Sequence, residues 1–224
     1  LSSCTYSNDS RISLNSKEPV VLIVHGCFSS GGRFRALADV FAFHGQQAIC
    51  FNYDDRASLE KSSADLIVAI QQLAEVMVSK KISVLGHSQG GLIARRALIK
   101  NRSDGLLLNG VSLDLTTVSA PFGGIKASSH CGSSALAWLS LGLTKPICWL
   151  VTGSKYREIP PNSEFISQPG QLLESVNRHI RVVTDERNSC RRFRENGECE
   201  VDDFVFTIQE QLQKQVDKEL SLIP

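Results

Sequence analysis

Residues 82–91 read ISVLGHSQGG, and this stretch decides the fold class. An apolar run is followed at once by Gly86, a serine, Gly90 and Gly91, and residues 92–100 then have helical spacing. The pattern indicates a strand, a G-x-S-x-G turn and a helix, which is the setting in which this motif carries a nucleophile. So sharp a turn strains the serine backbone, so the neighbours two residues away must lack side chains.

The serine of this turn, Ser88, is the predicted nucleophile. The turn would lift its hydroxyl above the C-terminal edge of the sheet. The helix that follows would direct its N-terminal amides and its dipole at the negative oxygen that forms during acyl transfer.

Strands and helices alternate along the rest of the chain. Continuous β-branched runs are typical of strands buried on both faces of a parallel sheet. The predicted strands are residues 19–24, 47–53, 82–85, 113–119, 147–152 and 180–184. The predicted helices are residues 31–44, 59–78, 92–100, 135–143, 172–176 and 205–220. This alternation predicts an α/β fold with a mainly parallel central sheet, flanking helices and right-handed crossovers.

The composition excludes several classes of protein. The 224 residues carry 24 Lys plus Arg against 23 Asp plus Glu, so the net charge of +1 argues against broad binding of nucleic acid. A hydrophobic content of 42% excludes wholesale disorder. We predict an extended tether over residues 1–17 and one domain over residues 18–224. No sequence pattern indicates a metal site or a cofactor.

The seven cysteines indicate the compartment. None forms a CxxC pair, but Cys190 and Cys199 bracket a polar loop, and a disulfide between them would imply an oxidising environment. Cys131 and Cys148 flank an apolar segment and form a second candidate pair. Burial as small apolar side chains is the alternative for Cys27, Cys50 and Cys148.

The first residues, LSSC, resemble a bacterial lipobox, in which a lipid would be attached to Cys4. Residues 5–17 would then tether the domain. The alternatives are an ordinary signal cleavage site and an arbitrary boundary. We expect an exported protein that is periplasmic, lipid-anchored or secreted.

Residues 19–124 resemble the α/β-hydrolase family, and specifically its small lipases and esterases. Residues 24–26, VHG, are similar to the His-Gly motif that ends an early strand in those enzymes, and residues 119–124, SAPFGG, are similar to their Thr-Pro-His-x-Gly segment. The resemblance implies that the backbone amides of Cys27 and Gln89 form the oxyanion hole. It also implies cleavage of carboxylic esters of small molecules or lipids.

The general base is the missing part of this resemblance. The family order is serine, acid, histidine, yet no histidine follows His179, and residues 185–203 contain none. His44 and His179 precede or begin strands, so they should lie at the sheet edge opposite the serine. His130, in the loop after the fourth strand, is the candidate base, with a plain loop or lid role as the alternative.

Two other histidines are poorer candidates. His87 lies inside the turn, where its ring is expected to pack, and the family uses the histidine at the position of His25 structurally.

The acid has two competing assignments. If residues 147–152 form the acid-bearing strand, Tyr156 replaces the acid and Glu158 is the nearest substitute. If residues 180–184 form it, Asp185 is well placed at the strand end. The further acids Asp202 and Asp203 resemble a lipase Asp-x-x-Val segment, but they also suit the N-cap of the last helix.

Two functions from different classes follow. The first is a serine hydrolase of carboxylic esters, with an apolar lid within residues 125–165 and a possible peripheral membrane contact. The second is a binding protein that keeps the hydrolase scaffold but has lost its base, since a serine without a base is a poor nucleophile.

Overall fold

The centre of the structure is a parallel sheet of five strands. The computed structural model describes residues 1–4, 12–27, 29–100, 108, 110–128, 153–187, 190–202 and 206–221. The strands are β1 (Val20–Val24), β2 (Gln47–Phe51), β3 (Lys81–His87), β4 (Ser112–Val118) and β5 (Val176–Val182). Their order across the sheet is β2-β1-β3-β4-β5, and every neighbouring pair is parallel. The predicted α/β architecture is confirmed.

Helices cover both faces of this sheet. Helix α1 (Arg35–Phe43) packs on one face, whereas α2 (Leu59–Val76) and α3 (Gln89–Ala97) pack on the other. All five residues of β1 are buried, because successive side chains of a strand point to opposite faces and both faces are covered here. Two shorter helices follow, α4 (Glu164–Ser167) and α5 (Lys214–Asp217).

Two predicted helices are wrong. In the stretch 172–176, Leu172 forms an isolated bridge with Ile99 and Val176 already begins β5. The stretch 205–220 contains a 3-10 turn at Ile208–Gln211 and the short α5 instead of one continuous helix. The break has a local cause, since Leu212 is extended after the turn and the Gln213 side chain caps a new helix.

A disulfide-closed hairpin follows the sheet. Its strands are β6 (Cys190–Phe193) and β7 (Cys199–Asp202), and the predicted disulfide between Cys190 and Cys199 is confirmed. Asp202 therefore ends a strand and does not cap a helix. Asp203, the strand expected at 147–152, the helix expected at 135–143 and the pair Cys131–Cys148 lie outside the described residues.

The described residues at the N-terminus contact the domain. Cys4 forms a disulfide with Cys50, and Ser2 pairs with Cys50 through two backbone hydrogen bonds of 2.8 Å. Ile12 and Leu14 pack against the main core. Of the extended tether expected over residues 1–17, residues 5–11 lie outside the described part of the chain.

The same disulfide bears on two expectations about single cysteines. Cys50 is not a free buried thiol. The sulfur of Cys4 is bonded to Cys50, so in this state it cannot also form the thioether of a lipid anchor.

The part of the chain that the structure describes contains no helix both long and apolar enough to cross a membrane. Of the predicted lid region, residues 129–152 lie outside the described part.

Candidate active site

Ser88 lies in the turn between β3 and α3, as the sequence predicts. Its backbone φ is 53° and its ψ is −124°, a conformation that residues other than glycine rarely adopt. The Ser88 amide donates a 2.8 Å hydrogen bond to the carbonyl of Val118 at the end of β4, and its carbonyl accepts one of 2.9 Å from the Gly91 amide. The surrounding structure thus holds a strained, half-buried serine at the C-terminal edge of the sheet.

The glycines of the turn are required by close backbone contacts. A Cβ atom at Gly90 would lie 2.2 Å from the carbonyl oxygen of Val24, and one at Gly86 would lie 2.6 Å from that of Gly90. No side chain fits at either position without moving the backbone. The expectation that these two positions must lack side chains is confirmed.

The loop after β1 packs against the serine. A Cβ atom at Gly26 would lie 3.1 Å from the Cβ atom of Ser88, so this loop and the turn are in direct contact. Cys27 follows in the chain, and Gln89 is the first residue of α3. Amides in the first turn of a helix have no acceptor within that helix. The structure therefore brings both residues predicted for the oxyanion hole close to Ser88.

A buried lysine that the sequence analysis did not single out joins these two residues. The Lys155 ammonium donates hydrogen bonds of 2.8 Å to Cys27 Sγ, 2.8 Å to Gln89 Oε1 and 2.6 Å to the Asp55 carbonyl. The residue is only 3% exposed. Lysine is almost never fully buried without partners, so such burial marks a specific role.

The amide group of Gln89 is held from its other end as well. Its Nε2 donates to the Asp55 carbonyl at 3.2 Å and to the Tyr53 hydroxyl at 3.4 Å. The Tyr53 hydroxyl in turn donates to the carbonyl of His25 at 2.7 Å. A continuous polar network therefore supports the loop that carries Cys27.

Burial controls the ionisation of this network. It raises the pKa of the Cys27 thiol, although the hydrogen bond and charge of Lys155 act in the opposite direction. Burial also raises the pKa of Tyr53 and lowers that of His25. Cys27 is therefore a protonated thiol at neutral pH.

The described histidines near the turn have structural contacts. His25 Nδ1 lies 2.9 Å from the Gly26 carbonyl, and its ring stacks on Tyr53 with the centroids 4.3 Å apart. The His87 ring contacts the Phe34 ring edge-on. Both arrangements agree with the packing roles expected from the sequence.

The expectation that His179 begins a strand is wrong, because the residue lies in the middle of β5. It is 1% exposed, and its Nε2 lies 3.0 Å from Thr117 Oγ1. Among the described residues its Nδ1 finds no hydrogen-bond partner. Burial, with the nearby charges of Arg95 and Arg181, lowers its pKa to about 3, so the ring is neutral.

Asp185 lies three residues after the end of β5. Two contacts link the ends of β4 and β5, namely the Ser119 amide to the Val182 carbonyl at 3.0 Å and Ser119 Oγ to Thr184 Oγ1 at 2.6 Å. The Ser88 amide is hydrogen-bonded to the carbonyl of Val118, at the end of β4. The end of β5, which leads to Asp185, therefore lies at the same sheet edge as the serine.

The Asp185 carboxylate already has a cationic partner. Arg187 Nε and Nη2 both donate to it, at 2.8 Å and 2.5 Å. These hydrogen bonds lower the pKa of the exposed Asp185 to about 2.

Glu158, the acid of the other assignment, has structural contacts. The Glu158 carboxylate caps the start of α2, accepting from Ser58 Oγ at 2.7 Å and from the Leu59 amide at 2.5 Å. A carboxylate there satisfies the free amides of the helix start. His130, the predicted base, lies outside the described residues.

Lys155 was missed because nothing in the sequence distinguishes it from an exposed lysine. It lies on the 3-10 turn Ser154–Arg157, two residues before the exposed Arg157. Only the tertiary contacts with residues far away in the chain reveal its burial.

The parallel sheet, the strained serine between strand and helix and the glycine loop packed against it define an α/β hydrolase. A sequence profile described as serine aminopeptidase, S33 matches residues 15–199, and the chain belongs to this family. No protein of curated function matches the chain.

Solved structures share the fold at low sequence identity. The mature lipase BlEst2 of Bacillus licheniformis superposes with a TM-score of 0.51 at 14% identity, over 83% of this chain and 71% of the lipase. Its propeptide form gives 0.54 at 16% identity, over 80% of this chain and 37% of that one. The metagenomic carboxyl esterase MGS0156 gives 0.57 at 12% identity, over 83% of this chain and 55% of the esterase. The chain therefore spans about half of the esterase and little more than a third of the propeptide form.

Proposed function

We propose that this protein is a serine hydrolase that cleaves carboxylic esters, of the lipase or esterase type. The observation that carries the proposal is the backbone of Ser88, held at φ 53° between β3 and α3 with Gly26 packed against it. Strain of this kind persists only where the surrounding structure imposes it, and it is concentrated at functional sites.

In the proposed reaction the Ser88 hydroxyl attacks the ester carbonyl. The amides of Cys27 and Gln89 donate to the oxygen as it becomes negative, and such donors each contribute about 100- to 1,000-fold to the rate. A base accepts the serine proton and passes it to the leaving alcohol, and water then releases the acid from the serine. His130 is our candidate base and Asp185 our candidate acid.

The position of Asp185 supports its proposed role. It follows the strand beside β4, and the contacts of Ser119 tie that strand end to the one that holds the Ser88 amide. The hydrogen bonds from Arg187 lower the pKa of Asp185 to about 2, and the carboxylate is ionised across the neutral range. An ionised carboxylate at this edge is what a histidine base needs as its orienting partner.

The test is the Ser88→Ala variant assayed with a p-nitrophenyl ester. We expect turnover to fall to the uncatalysed background while the melting temperature stays within a few degrees. Ser167→Ala, an exposed serine on α4, is the matched control and should keep full activity. Equal turnover by Ser88→Ala and the parent protein would overturn the proposal.

A catalytically degenerate binding protein is the second candidate. The observation in its favour is that Asp185 is already paired with Arg187, while the rings of His25 and His179 are buried. A fluorophosphonate probe separates the two candidates. Stoichiometric labelling of Ser88 supports the hydrolase, whereas folded protein that takes up no label supports the binding protein.

Two disulfides in the described chain are compatible with export to an oxidising compartment, which we include in the proposal. Contact of a lid with lipid remains a prediction, because the apolar segment concerned lies outside the described residues.

A further inference from the structure

The short segment from Gly153 to Glu158 packs closely on the loop that leads into α2. Gly153 has a φ of 76°, and a Cβ atom there would lie 2.1 Å from the Arg56 carbonyl oxygen. The Ser154 amide donates to that same oxygen at 2.9 Å. At its other end the segment is fixed by the Glu158 carboxylate on the amides of Leu59 and Glu60. Lys155 therefore projects from a turn that is held at both ends.

The ammonium of Lys155 joins three parts of the chain that are far apart in sequence. Cys27 follows β1, Asp55 follows β2 and Gln89 begins α3. Two of these three residues carry the amides assigned to the oxyanion hole. Their side-chain acceptors both lie 2.8 Å from the same nitrogen.

Burial of a lysine in this space costs free energy. An ammonium group loses its hydration when buried and needs several good acceptors in return. An apolar residue of similar volume is often neutral or stabilising in such a place. The burial of Lys155 therefore points to a role beyond packing.

We propose that Lys155 is a positioning residue for the oxyanion hole. Its hydrogen bonds to Cys27 Sγ and Gln89 Oε1 hold the two backbones at a fixed separation beside Ser88. This inference rests on the proposed function, because it concerns the same reaction. Displacement of an oxyanion donor by about 1 Å is enough to cost a large factor in rate.

The first test compares Lys155→Met with the matched control Ser154→Ala. The methionine keeps the length of the side chain and removes the donors. Ser154 lies in the same turn, and its hydroxyl donates to the Arg56 carbonyl. With a p-nitrophenyl ester we expect Lys155→Met to lower kcat about 10- to 100-fold with KM within about twofold, because the lost stabilisation is specific to the transition state. Ser154→Ala should match the parent protein. An unchanged kcat in folded Lys155→Met would overturn the inference.

A double-mutant cycle with Gln89→Met shows whether Lys155 acts through that side chain. If it does, the double variant should lose much less than the product of the two single losses. Losses that simply multiply would mean that Lys155 acts independently of Gln89, which contradicts the proposal.

A spectroscopic measurement keeps the inference testable without turnover. The backbone amide signals of Cys27 and Gln89 should shift and exchange faster with solvent in Lys155→Met, and remain unchanged in Ser154→Ala. If Lys155→Met does not fold, Gln89→Met gives the same test, since loss of this acceptor should move the Cys27 amide signal. Unmoved signals overturn the positioning role even if Ser88 proves to be the nucleophile. Conversely, the amide signals could shift in Lys155→Met while Ser88→Ala leaves ester turnover unchanged. That combination would refute only the proposed function.

Discussion

The two ends of the candidate site differ in how their residues are held. At the turn around Ser88, residues close in sequence fix the serine backbone. They are the end of β3, two glycines and the start of α3. At the end of β5, Asp185 is exposed and its visible partner is Arg187, only two residues away. Close packing constrains the first region, whereas the second is exposed to solvent and held by a local ion pair.

This difference shows which half of the chemistry the fold dictates. A nucleophile and its oxyanion donors are made from backbone geometry, which close packing enforces. An acid and a base are side chains that must meet across separate loops. Loss or replacement of the base would therefore leave the turn intact. Experiments on each region distinguish effects on the stability of the fold from effects on turnover.

The largest effect should come from Asp185→Asn. If this carboxylate orients the base, its loss should lower kcat about 10,000-fold, because an amide favours the wrong tautomer of the imidazole. The variant should remain folded, since the side chain is exposed. Steady-state kinetics on a soluble ester provide the measurement.

Glu186→Gln, the adjacent acid, is the control for Asp185→Asn and should change kcat less than twofold. Full activity of Asp185→Asn would remove this residue from the mechanism.

Substitution of Gly90 tests the other region. A methyl group there would lie 2.2 Å from the Val24 carbonyl oxygen, so Gly90→Ala must push the turn away from β1. We expect the free energy of unfolding to fall by about 3 kcal/mol. Chemical denaturation gives this value directly.

Gly45→Ala separates steric overlap from backbone strain. Gly45 also has a positive φ, of 72°, but no atom lies within 4 Å of a Cβ placed there. Its substitution should cost only about 1 kcal/mol. Equal losses at Gly45 and Gly90 would contradict the packing argument.

The same contrast explains what could be predicted from the sequence. Ser88, the glycines around it and four strands follow from patterns within about ten residues, and the structure places them as expected. The helices expected at 172–176 and 205–220 were wrong because their apolar spacing is real but their residues serve other contacts, such as the bridge from Leu172 to Ile99. Hydrophobic periodicity alone does not distinguish these cases.

Contacts between distant residues could not be predicted. The partner of Cys50 is Cys4, 46 residues away, and no spacing rule indicates that pairing. Lys155 is likewise defined by Cys27 and Gln89. In both cases the decisive information is which loops meet, and that is a property of the whole fold.

The pH dependence of stability should depend on His179. Burial lowers its pKa from 6.5 to about 3, so between these values the unfolded chain binds a proton that the folded protein does not. Stability therefore rises with pH across this window and is lost as the pH falls through it, at up to about 1.4 kcal/mol per pH unit. In His179→Gln, the free energy of unfolding should rise less steeply with pH, by about this amount per pH unit. Denaturation curves recorded at several values between pH 4 and 6.5 measure that dependence.

His179→Gln also examines catalysis. Because the His179 ring is buried against Thr117 and Phe122, the variant should retain esterase activity near neutral pH. A loss as large as that of Ser88→Ala would identify His179 as the base and reverse our assignment. His44→Gln, at the exposed end of α1, is a control that should alter neither property.

The smallest effect should follow the loss of Arg187. Its hydrogen bonds lower the pKa of Asp185 to about 2, so in Arg187→Gln this pKa should move up towards the ordinary 3.8. Titration of the Asp185 carboxyl signal by carbon-13 NMR measures the shift. Arg194→Gln, which loses a pairing with Glu198 in the hairpin, is the control and should leave the pKa of Asp185 in place.

The lowered pKa of Asp185 should have little effect on stability or turnover. A carboxyl group whose pKa is lower in the folded state stabilises the fold above its unfolded-state pKa, and this contribution is lost as the pH falls through its folded-state pKa. For so exposed a pair, however, solvent screening should keep the change in stability close to the error of measurement. A carboxylate with a pKa of either value is ionised at pH 7, so kcat there should also change little. A large rise in kcat would instead mean that Arg187 holds the acid away from its base, and that the end of β5 is a site kept inactive by its own neighbour.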